Sequence, residues 1–579
     1  MTACRTSWGR AVQSLHAFFL RMKLPVVFRS TILVFIAASV TLLASAALPT
    51  PDPDNGGLIL PPGFRALVVA DNLIAGRKIG KDTDQLRFLA VAPNGDLYAK
   101  TYHGGIIALR DNDGDGRFEE HHEFGSGGGT GIAVRGEWLY ESTNDAVYRY
   151  PLKAGELVPT GSAETVVSGL PDGHQHDAKS FAFGGDGQLY VEVGSPSNCY
   201  GNPDRAYMPP GTPSLDPTEF LKTHGGWWRF NPDKLNQTQA DGYHFSTGHR
   251  HMLAIAWNRA AQSFYVTQMG RDQLNIVAPE YYDELDNAER VSEVMHKLTD
   301  GANFGWPYTY WDPIKKARMA TPEFGGDGRK RAEVGKYPDP VVAFPAHWAP
   351  LQLSFYYASQ FPEKYRNGAF QTFHGSWNRA PRPQEGFNVT FVPFDEKGNP
   401  AGTFEVFASN GAEPRYRMGG VAVAPDGSLY VSETDRGRIW RIIYTGETSV
   451  AANTIGASAA PAFRPVDPTA LKLPGSAVYT LYCAPCHMPD GSGAAPMQPA
   501  LAGSPVAAGE ATRAIEVVLR GPAAVLPADR PKYQNVMPSF AVLSDEQVAQ
   551  VLTFVRQAFG AHASPITTAD VAAVRAKLP

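Results

Sequence analysis

The sequence predicts a mainly β chain: a six-bladed β-propeller followed by a small all-α domain. Three observations support this prediction. A strand–turn–strand phrase returns along residues 57–445, the chain of 579 residues is rich in Gly (57) and Pro (47), and a capped amphipathic helix begins at Ser544. Plentiful turn residues are typical of many short strands. The formal charge is -5 with no basic stripe, so the sequence indicates no nucleic-acid partner.

Residues 1–48 are expected to be an export signal or a membrane anchor. Thr31 to Leu48 is apolar, basic residues precede it, and it ends in the small residues Ala44-Ser45-Ala46-Ala47. This pattern is typical of a signal peptide, and Met22 is an alternative start that gives a signal of ordinary length. The run is also near the lower limit for a membrane span. We therefore expect a periplasmic or otherwise exported protein, anchored to the membrane if the segment is not cleaved.

The phrase that repeats along residues 57–445 is a hairpin signal. Each copy is a short apolar strand, a turn rich in Asp, Asn or Gly, and an alternating strand. Six copies, with long insertions after the third and fourth, predict one such hairpin per blade and place the insertions on the binding face. The copies are Phe88–Tyr98, Gly131–Tyr140, Phe181–Tyr190, Ile255–Asn258 leading into Phe264–Val266, a weaker one from Gly368–Phe373 into Phe387–Val392, and Val421–Tyr430.

A second domain is predicted at residues 469–561, after an Ala/Thr/Ser/Pro-rich linker at 446–468 and before a tail at 562–579. It contains Cys483-Ala484-Pro485-Cys486-His487, a C-x-x-C-H run that is the attachment signature of a c-type haem. A four-thiolate zinc site is disfavoured, because the chain has four cysteines and the other two, Cys4 and Cys199, lie far away. A thioredoxin-like redox disulfide is disfavoured because no βαβ pattern accompanies the motif.

His487 is the expected first axial ligand of the haem iron, and Met537 is the predicted second one, since Met/His ligation is found in electron-transfer cytochromes. Met537 precedes the helix at Ser544, where Gln547 completes a capping box. Met497 is the alternative ligand. From about residue 471 to residue 561 the chain resembles a class I cytochrome c domain, which implies a covalent haem c and a downstream electron acceptor: a cytochrome, a quinone or an oxidase.

Several motifs within the repeats resemble those of soluble pyrroloquinoline-quinone (PQQ) sugar dehydrogenases and their sorbosone-dehydrogenase-like relatives. They stand in the same order as in that family and span nearly all of residues 57–445. The resemblance implies a PQQ on the propeller axis, a calcium ion that bridges it to backbone oxygens, and oxidation of a sugar, aldehyde or alcohol. The motifs are His176–Asp186, Leu189–Gly194, Gly248–Arg250, Gly301–Pro307, His374–Arg379 and Arg415–Arg417.

The resemblance also implies roles for single residues. His176 would be the general base, a role that suits an imidazole, and His174 competes with it. The backbone carbonyls of Gly270 and Arg271 would bind the calcium ion. Trp348 either stacks on the quinone or packs inside a blade. Arginines suit the carboxylates of PQQ, and the candidates are Arg250, Arg415 and Arg417.

Three features depart from the family's pattern. His251 follows Arg250 where the glucose enzymes carry asparagine, and Lys179 stands where an arginine is usual. The spacing from Arg417 to Pro425 is longer than in the family, so the register of that motif stays open.

Asp111, Asp113 and Asp115 alternate ahead of Gly116, like the opening of a calcium loop. His122 occupies the place of the bidentate Glu of an EF-hand, which excludes a complete EF-hand. A second calcium ion and a plain acidic β-turn are both consistent with this pattern.

The leading functional hypothesis is a quinohaemoprotein dehydrogenase, in which electrons pass from substrate to PQQ and then singly to the haem. The alternative is a non-catalytic propeller that binds a glycan or a protein and carries an electron-transfer cytochrome. A hydrolase is disfavoured because no nucleophile constellation stands out. The identity of the substrate is left open.

Overall fold

The computed structural model describes residues 48–173, 175–379, 382, 384–410, 416–446, 473–487, 491, 493, 498–528, 530, 533, 537, 539–559 and 563–578. His174, Arg415, Met497 and the side chain of Cys486 lie outside the described residues, as do the N-terminal apolar run and most of the predicted linker. In the part of the chain that is described, no helix has the length and hydropathy needed to cross a membrane.

Short strands dominate the chain up to residue 446, as the turn-rich composition predicts. The strands are β1 Leu58–Ile59, β2 Phe64–Ala70, β3 Lys78–Ile79, β4 Asp82–Thr83, β5 Leu86–Val91, β6 Leu97–Thr101, β7 Ile106–Arg110, β8 Glu120–Phe124, β9 Ile132–Arg135, β10 Trp138–Ser142, β11 Val147–Pro151, β12 Glu164–Val167, β13 Phe181–Phe183, β14 Leu189–Val193, β15 Gly226–Phe230, β16 Tyr243–Thr247, β17 Ala254–Asn258, β18 Ser263–Gln268, β19 Ser292–Lys297, β20 Thr309–Asp312, β21 Ala317–Ala320, β22 Val342–Ala346, β23 Pro350–Phe355, β24 Ala369–His374, β25 Phe387–Val392, β26 Glu405–Asn410, β27 Met418–Val423, β28 Leu429–Glu433 and β29 Ile439–Tyr444.

These strands form six antiparallel blades, which confirms the predicted propeller. From the inside outwards the blades are β5-β6-β7-β8, β9-β10-β11-β12, β13-β14-β15-β16, β17-β18-β19-β22, β23-β24-β25-β26 and β27-β28-β29-β2; β1 extends the fifth blade. The innermost strands pack around a ring, with β5 against β9 and β27, and β23 against β17 and β27. The hairpins β3-β4 and β20-β21 lie outside the blades.

The ring closes because the N-terminal strand β2 supplies the outermost strand of the last blade. It pairs with β29, and Phe64 lies opposite Tyr444. The Phe64 ring packs edge-on against Phe361 at 4.8 Å and Phe407 at 5.0 Å. The closure is therefore made by backbone hydrogen bonds together with a buried aromatic cluster.

The repeated phrase forms the two innermost strands of five blades, and the fifth blade differs. The weaker copy forms β24 and β25, the second and third strands, whereas the innermost strand is β23. The segment 356–368 joins β23 to β24 in place of a tight turn, so the phrase is absent there. The long insertion after the third copy contains β15 and β16 of the third blade.

Hydroxyl side chains near the ends of second strands link neighbouring blades. Ser432 Oγ donates to the carbonyl oxygen of Arg87 at 3.0 Å. Thr372 Oγ1 donates to that of Gly419 at 2.8 Å. Ser142 on β10 makes the same kind of contact with the carbonyl of Lys179. These bonds fix the chain where it enters the innermost strands.

Strand direction decides which loops share one face of the propeller. Each innermost strand runs antiparallel to the second strand of its blade. The loop that enters an innermost strand therefore lies at the same end as the loop that leaves the second strand. We call this end the entry face; it carries the segments before β13, β17, β23 and β27 and those after β14, β18 and β24.

Helices form most of the described chain after residue 472, as predicted for a cytochrome c domain. The helix predicted at Ser544 is confirmed: Gln547 N donates to Ser544 Oγ at 3.2 Å, and Ser544 N donates to Gln547 Oε1 at 2.9 Å. The helices are α1 Leu274–Val277 and α2 Glu284–Glu289 in a propeller loop, then α3 Ser476–Tyr482, α4 Ala484–His487, α5 Pro505–Ala508, α6 Ala511–Arg520, α7 Asp545–Ala558 and α8 Thr568–Arg575.

The core of this helical part lies between α3, α6, α7 and α8. The predicted apolar face of α7 is buried, with Val548 and Val551 among the least exposed residues. Helix α8 packs on α6 and α7 and buries Val571 and Val574. The segment expected to be a tail therefore contributes a helix to the core.

Candidate active site

His176 lies on the entry face, in the segment before β13. Its φ is 54°, a left-handed value that is uncommon for a residue with a side chain. Its Nδ1 donates a hydrogen bond to the carbonyl oxygen of Ser195 at 2.7 Å. Because a carbonyl only accepts, the proton of the neutral ring is held on Nδ1 and the lone pair is on Nε2. The side chain is partly exposed, and a ring with its lone pair on Nε2 can accept a proton there.

The surroundings keep His176 uncharged. Desolvation by the packed loops lowers the pKa of His176 well below its ordinary value of 6.5, and the charges of Arg250, His251 and Arg205 lower it further. The hydrogen bond to Ser195 acts in the opposite direction but does not reverse the shift. The imidazole is therefore a free base at neutral pH.

Arg250 is buried beside this histidine, with 3% of its surface exposed. Its Nη2 donates to Asp272 Oδ2 at 2.9 Å and to Asn198 Oδ1 at 3.0 Å. Burial alone would raise the pKa of Asp272, but Arg250, His347 and Arg205 hold it well below its usual range. The Nε atom of Arg250 is buried and has no hydrogen-bond partner among the described residues.

Asp272 joins loops from three blades. Its Oδ2 also accepts from Arg205 Nη1 at 3.1 Å. Its Oδ1 accepts from Asn378 Nδ2 at 2.9 Å and lies 3.4 Å from His347 Nδ1. One carboxylate therefore ties Arg250 to the segments after β14 and after β24.

Arg417 lies on the entry face, directly before β27, and 3% of its surface is exposed. Its Nη1 donates to the carbonyl oxygens of Gly375 at 3.0 Å and His374 at 3.2 Å. Burial, together with Arg417 and Arg87, lowers the pKa of His374 well below its ordinary value. The buried Nε2 of His374 has no partner in the described chain.

Gly270 and Arg271 follow β18 on the same face. Gly270 N donates to Glu293 Oε2 at 2.7 Å, and the Arg271 side chain turns to a buried ion pair with Glu323 at 2.5 Å. Burial raises the pKa of Glu293 to about 7. Within the described chain, neither carbonyl oxygen accepts a hydrogen bond. Two such oxygens with no donor are suitable ligands for a calcium ion.

Trp348 lies in the hydrophobic core of the fourth and fifth blades and is 7% exposed. Its ring packs edge-on against Phe373 at 5.5 Å and Phe404 at 5.9 Å. The indole Nε1 is buried without a partner among the described residues. Stacking of Trp348 on a quinone stays a prediction.

The residues of the entry face fit a polar, anionic cofactor. Buried polar atoms without partners are rare in folded proteins and point to a ligand or an ordered water. Such nitrogen atoms occur here on Arg250, Trp348 and His374. Together with the unpaired carbonyls of Gly270 and Arg271, they offer donors for the carboxylates of PQQ and oxygens for calcium.

The acidic loop lies at the other end of the propeller, between β7 and β8, because β7 runs parallel to β5. The carboxylates of Asp111, Asp113, Asp115 and Glu119 lie within 4.8 Å of one another. The Asp111 carboxylate accepts from the backbone N of Gly114 at 2.7 Å. A second calcium ion there stays a prediction, and Glu119 is a member of the cluster that the sequence pattern missed.

Of the haem motif, the structure describes the side chains of Cys483, Ala484 and His487. His487 lies in α4, is 6% exposed, and donates from Nδ1 to the carbonyl oxygen of Pro499 at 2.9 Å. Burial lowers its pKa, so the ring is neutral and Nε2 is left for the metal. Cys483 directly follows α3. Met537 is partly buried, and its role as axial ligand stays a prediction.

Sequence reasoning missed the carboxylates of the site. Glu192 on β14 contacts His251, and Glu293 on β19 contacts Gly270. The sequence does contain a signal for Glu192. In the second strand of several blades, a charged residue that proves to be buried comes shortly after a Leu-Tyr pair. These charged residues are Lys100, Glu141, Glu192 and Glu433.

Gly194 lies very close to His176. A Cβ atom added at residue 194 would lie 2.3 Å from the carbonyl oxygen of His176 and 2.8 Å from the Cβ of His176. We expect Gly194→Ala to displace the imidazole and reduce turnover by about 100-fold, as a shift of roughly 1 Å does in other sites. The control is Gly173→Ala, where the first atom met is Pro196 Cβ at 3.1 Å. Steady-state kinetics on both variants test this; equal activity would contradict it.

Comparison with known proteins agrees with this architecture. Residues 58–445 match the TrAA12-like family model, and residues 473–559 match that of cytochrome c. Two solved structures share the fold: a Trichoderma reesei enzyme of carbohydrate-active family AA12, with a TM-score of 0.53, and the PQQ domain of a Coprinopsis cinerea pyranose dehydrogenase, with a TM-score of 0.52. Each is 16% identical and is aligned over 69% of this chain and 99% of its own.

Curated relatives match parts of the chain. An uncharacterized Borreliella burgdorferi protein is 25% identical over 201 residues, or 34% of this chain and 48% of the relative. The cytochrome c subunit of a Gluconacetobacter polyoxogenes quinone alcohol dehydrogenase is 35% identical over 105 residues, or 18% of this chain and 22% of the subunit. This chain therefore spans less than half the length of these relatives.

A smaller relative is matched over most of its length. Cytochrome c-552 of Thermus thermophilus is 36% identical over 112 residues, which are 18% of this chain and 85% of that protein. The propeller therefore shares its fold with these two solved structures. The chain therefore belongs to the TrAA12-like family and carries a cytochrome c domain after its propeller.

Proposed function

We propose that this protein oxidises a hydroxyl or aldehyde group of a sugar at a PQQ–calcium site on the entry face and passes the electrons to its own haem c. The observation that carries this proposal is the hydrogen bond from His176 Nδ1 to Ser195, which leaves Nε2 as a proton acceptor next to the buried Arg250. Arg250 and Arg417 would hold the cofactor's carboxylates, and the carbonyls of Gly270 and Arg271 would hold calcium.

The residues of the chain account for the proton chemistry. When bound, PQQ would supply a two-electron acceptor for the hydride of the substrate. His176 Nε2 takes the proton of the substrate hydroxyl, and the Ser195 carbonyl keeps the ring in the orientation and tautomer that this needs. Asp272 holds Arg250 in place, which keeps a positive charge near His176.

The cytochrome c domain would be the exit for the electrons. Its His487 is neutral and presents Nε2, as an iron ligand must. The haem would pass single electrons to another cytochrome, a quinone or an oxidase. Export of the chain and an N-terminal anchor remain part of this proposal, and they rest on the apolar run at 31–48.

Trp377 favours a sugar ring as the substrate. The indole is 45% exposed, although Trp is usually well buried. The next residue, Asn378, is fixed to Asp272, so Trp377 lies on a loop anchored to the site. Carbohydrate rings have apolar faces that pack on exposed indoles, which gives such a side chain a role in substrate binding.

Trp377→Ala is expected to raise the KM for an aldose by about 3- to 10-fold, the value of one aromatic contact, with little change in kcat. Trp377→Phe keeps an aromatic surface and is the control. Small alcohols without a ring should show the same KM with all three proteins. A uniform loss of kcat on every substrate would contradict a role in sugar binding.

The proposed function is tested with the full chain purified with its haem and then supplied with PQQ and calcium. Aldoses, polyols, aldehydes and simple alcohols are added singly, and the haem absorbance is followed. We expect reduction of the haem by at least one sugar, which should require both PQQ and calcium. Absence of reduction across the panel, with PQQ binding shown to be absent by calorimetry, would disprove the proposal.

A further inference from the structure

A second histidine packs against His176. The centre of the His251 ring lies 5.0 Å from that of His176, and the two rings are tilted by 34°. The Nδ1 atom of His251 lies 3.0 Å from Glu192 Oε1. The side chains of His251 and Glu192 are 8% and 1% exposed. A buried carboxylate and an imidazole therefore lie directly behind the proposed base.

Glu192 is an unusual residue for its strand. It interrupts the apolar run Leu189-Tyr-Val-Glu-Val193 of β14. Its Oε1 also accepts a hydrogen bond from the backbone N of Met252, the residue after His251. Its Oε2 is buried without a partner among the described residues. A buried carboxylate is costly unless it is paired, and His251 is the ring that it contacts.

Gly194 makes the close approach of the rings feasible. A Cβ at this position would lie 2.8 Å from His176 Cβ and 3.1 Å from His251 Nδ1. The same short segment, from Glu192 to Ser195, thus provides the carboxylate for one ring, the space between the two rings, and the carbonyl acceptor for the other.

We propose that Glu192 and His251 form a carboxylate–imidazole pair that positions His176 and governs when His176 takes up a proton. The inference rests on the proposed function, in which His176 is the base. Glu192 holds the proton on His251 Nδ1 and stabilises the doubly protonated ring. Once His251 is charged, a positive charge lies one ring away from His176 and opposes its protonation. His251 acts through His176 and is a positioning residue.

Other charged groups face the pair, and none of these residues is substituted in the variants below. Arg250 and Arg205 add positive charge near His176, and Asp272 compensates both. Burial lowers the pKa of Lys179 to about 8, and the charge of Glu192 is the largest influence that opposes this. The facing groups are Arg205, Arg250, Lys179, Asp177 and Asp272.

The test uses His251→Asn and Glu192→Gln in the full, haem-loaded chain. The imidazole titrations of His176 and His251 are followed by NMR without PQQ. With His251→Asn, the midpoint of His176 should rise by about 1 pH unit because a positive neighbour is lost. With Glu192→Gln, the carboxylate that favours a charged His251 is lost, so the titration midpoint of His176 should rise as well. His244→Asn, which removes a ring stacked on Trp228, is the control and should leave the His176 midpoint unchanged.

The pH profile of turnover separates this inference from the proposed function. A base works when it is unprotonated, so a higher midpoint for His176 should move the acid limb of turnover to higher pH by the same amount. If the NMR titration midpoint of His176 moves and the acid limb of the turnover profile does not, the Glu192–His251 pair is supported and His176 is not the base. If the His176 midpoint moves in neither folded variant, the inference is overturned. Should His251→Asn not fold, judged by thermal unfolding, His251→Gln replaces it with the same expected shift.

Discussion

His176→Ala is expected to reduce substrate-dependent turnover by about 100- to 10,000-fold, the usual contribution of a positioned general base. The expected loss is large because the Ser195 carbonyl fixes the His176 tautomer and its surroundings keep the ring neutral. The ring lies outside the haem motif, so the haem spectrum should be unchanged. The measurement is the initial rate of haem reduction at saturating PQQ and calcium.

Two controls make the His176 result specific. His121→Ala removes an exposed imidazole from β8 and should leave turnover unaltered. Calorimetric titration should show that His176→Ala still binds PQQ. Near-normal turnover in His176→Ala would mean that another group is the base. His174 and His251 would then be the first candidates.

The double variant Cys483→Ala, Cys486→Ala is expected to lose covalent haem entirely, because both thioether bonds come from these thiols. Substrate-dependent reduction of haem should disappear with it. Reduction of an artificial dye by the propeller should remain, since the haem would act after the site on the entry face. Haem staining after denaturing electrophoresis and a dye-coupled assay measure the two effects.

Met537→Ala is the matched control for the cysteine variant. It keeps both thiols, so covalent haem should persist while the absorbance band of sulfur ligation is lost. Persistence of that band would assign the sixth ligand to Met497. Loss of dye reduction in the double cysteine variant, with a propeller that still unfolds cooperatively, would argue against a separate site upstream of the haem.

The architecture was largely predictable because its signals are local. The phrase ending in Val421–Tyr430 is a hairpin whose turn residues and alternating strand are neighbours in sequence. The helix that begins after Ser544 depends on a capping box four residues long. In the fifth blade the phrase forms β24 and β25, because β23 and β24 are joined by a longer segment without the tight turn.

The site was predictable only in part, since its partners are distant in sequence. Motifs led to Arg250 and His176, but Asp272 and Asn198, which bind Arg250, are 22 and 52 residues away from it. Only the ring of blades brings these segments to one face. The same holds for Glu192 and His251, which are 59 residues apart and in contact.

The sequence by itself determined the components: repeated hairpins, a C-x-x-C-H motif and a capped helix, each set by residues close together along the chain. The tertiary structure decided their chemistry. It established that the proton of His176 is held on Nδ1, that Asp272 binds Arg250, and that Glu192 and His251 lie next to His176. The physical reason is that tautomers, buried charges and pKa values depend on which groups meet in space, and here those groups come from different blades.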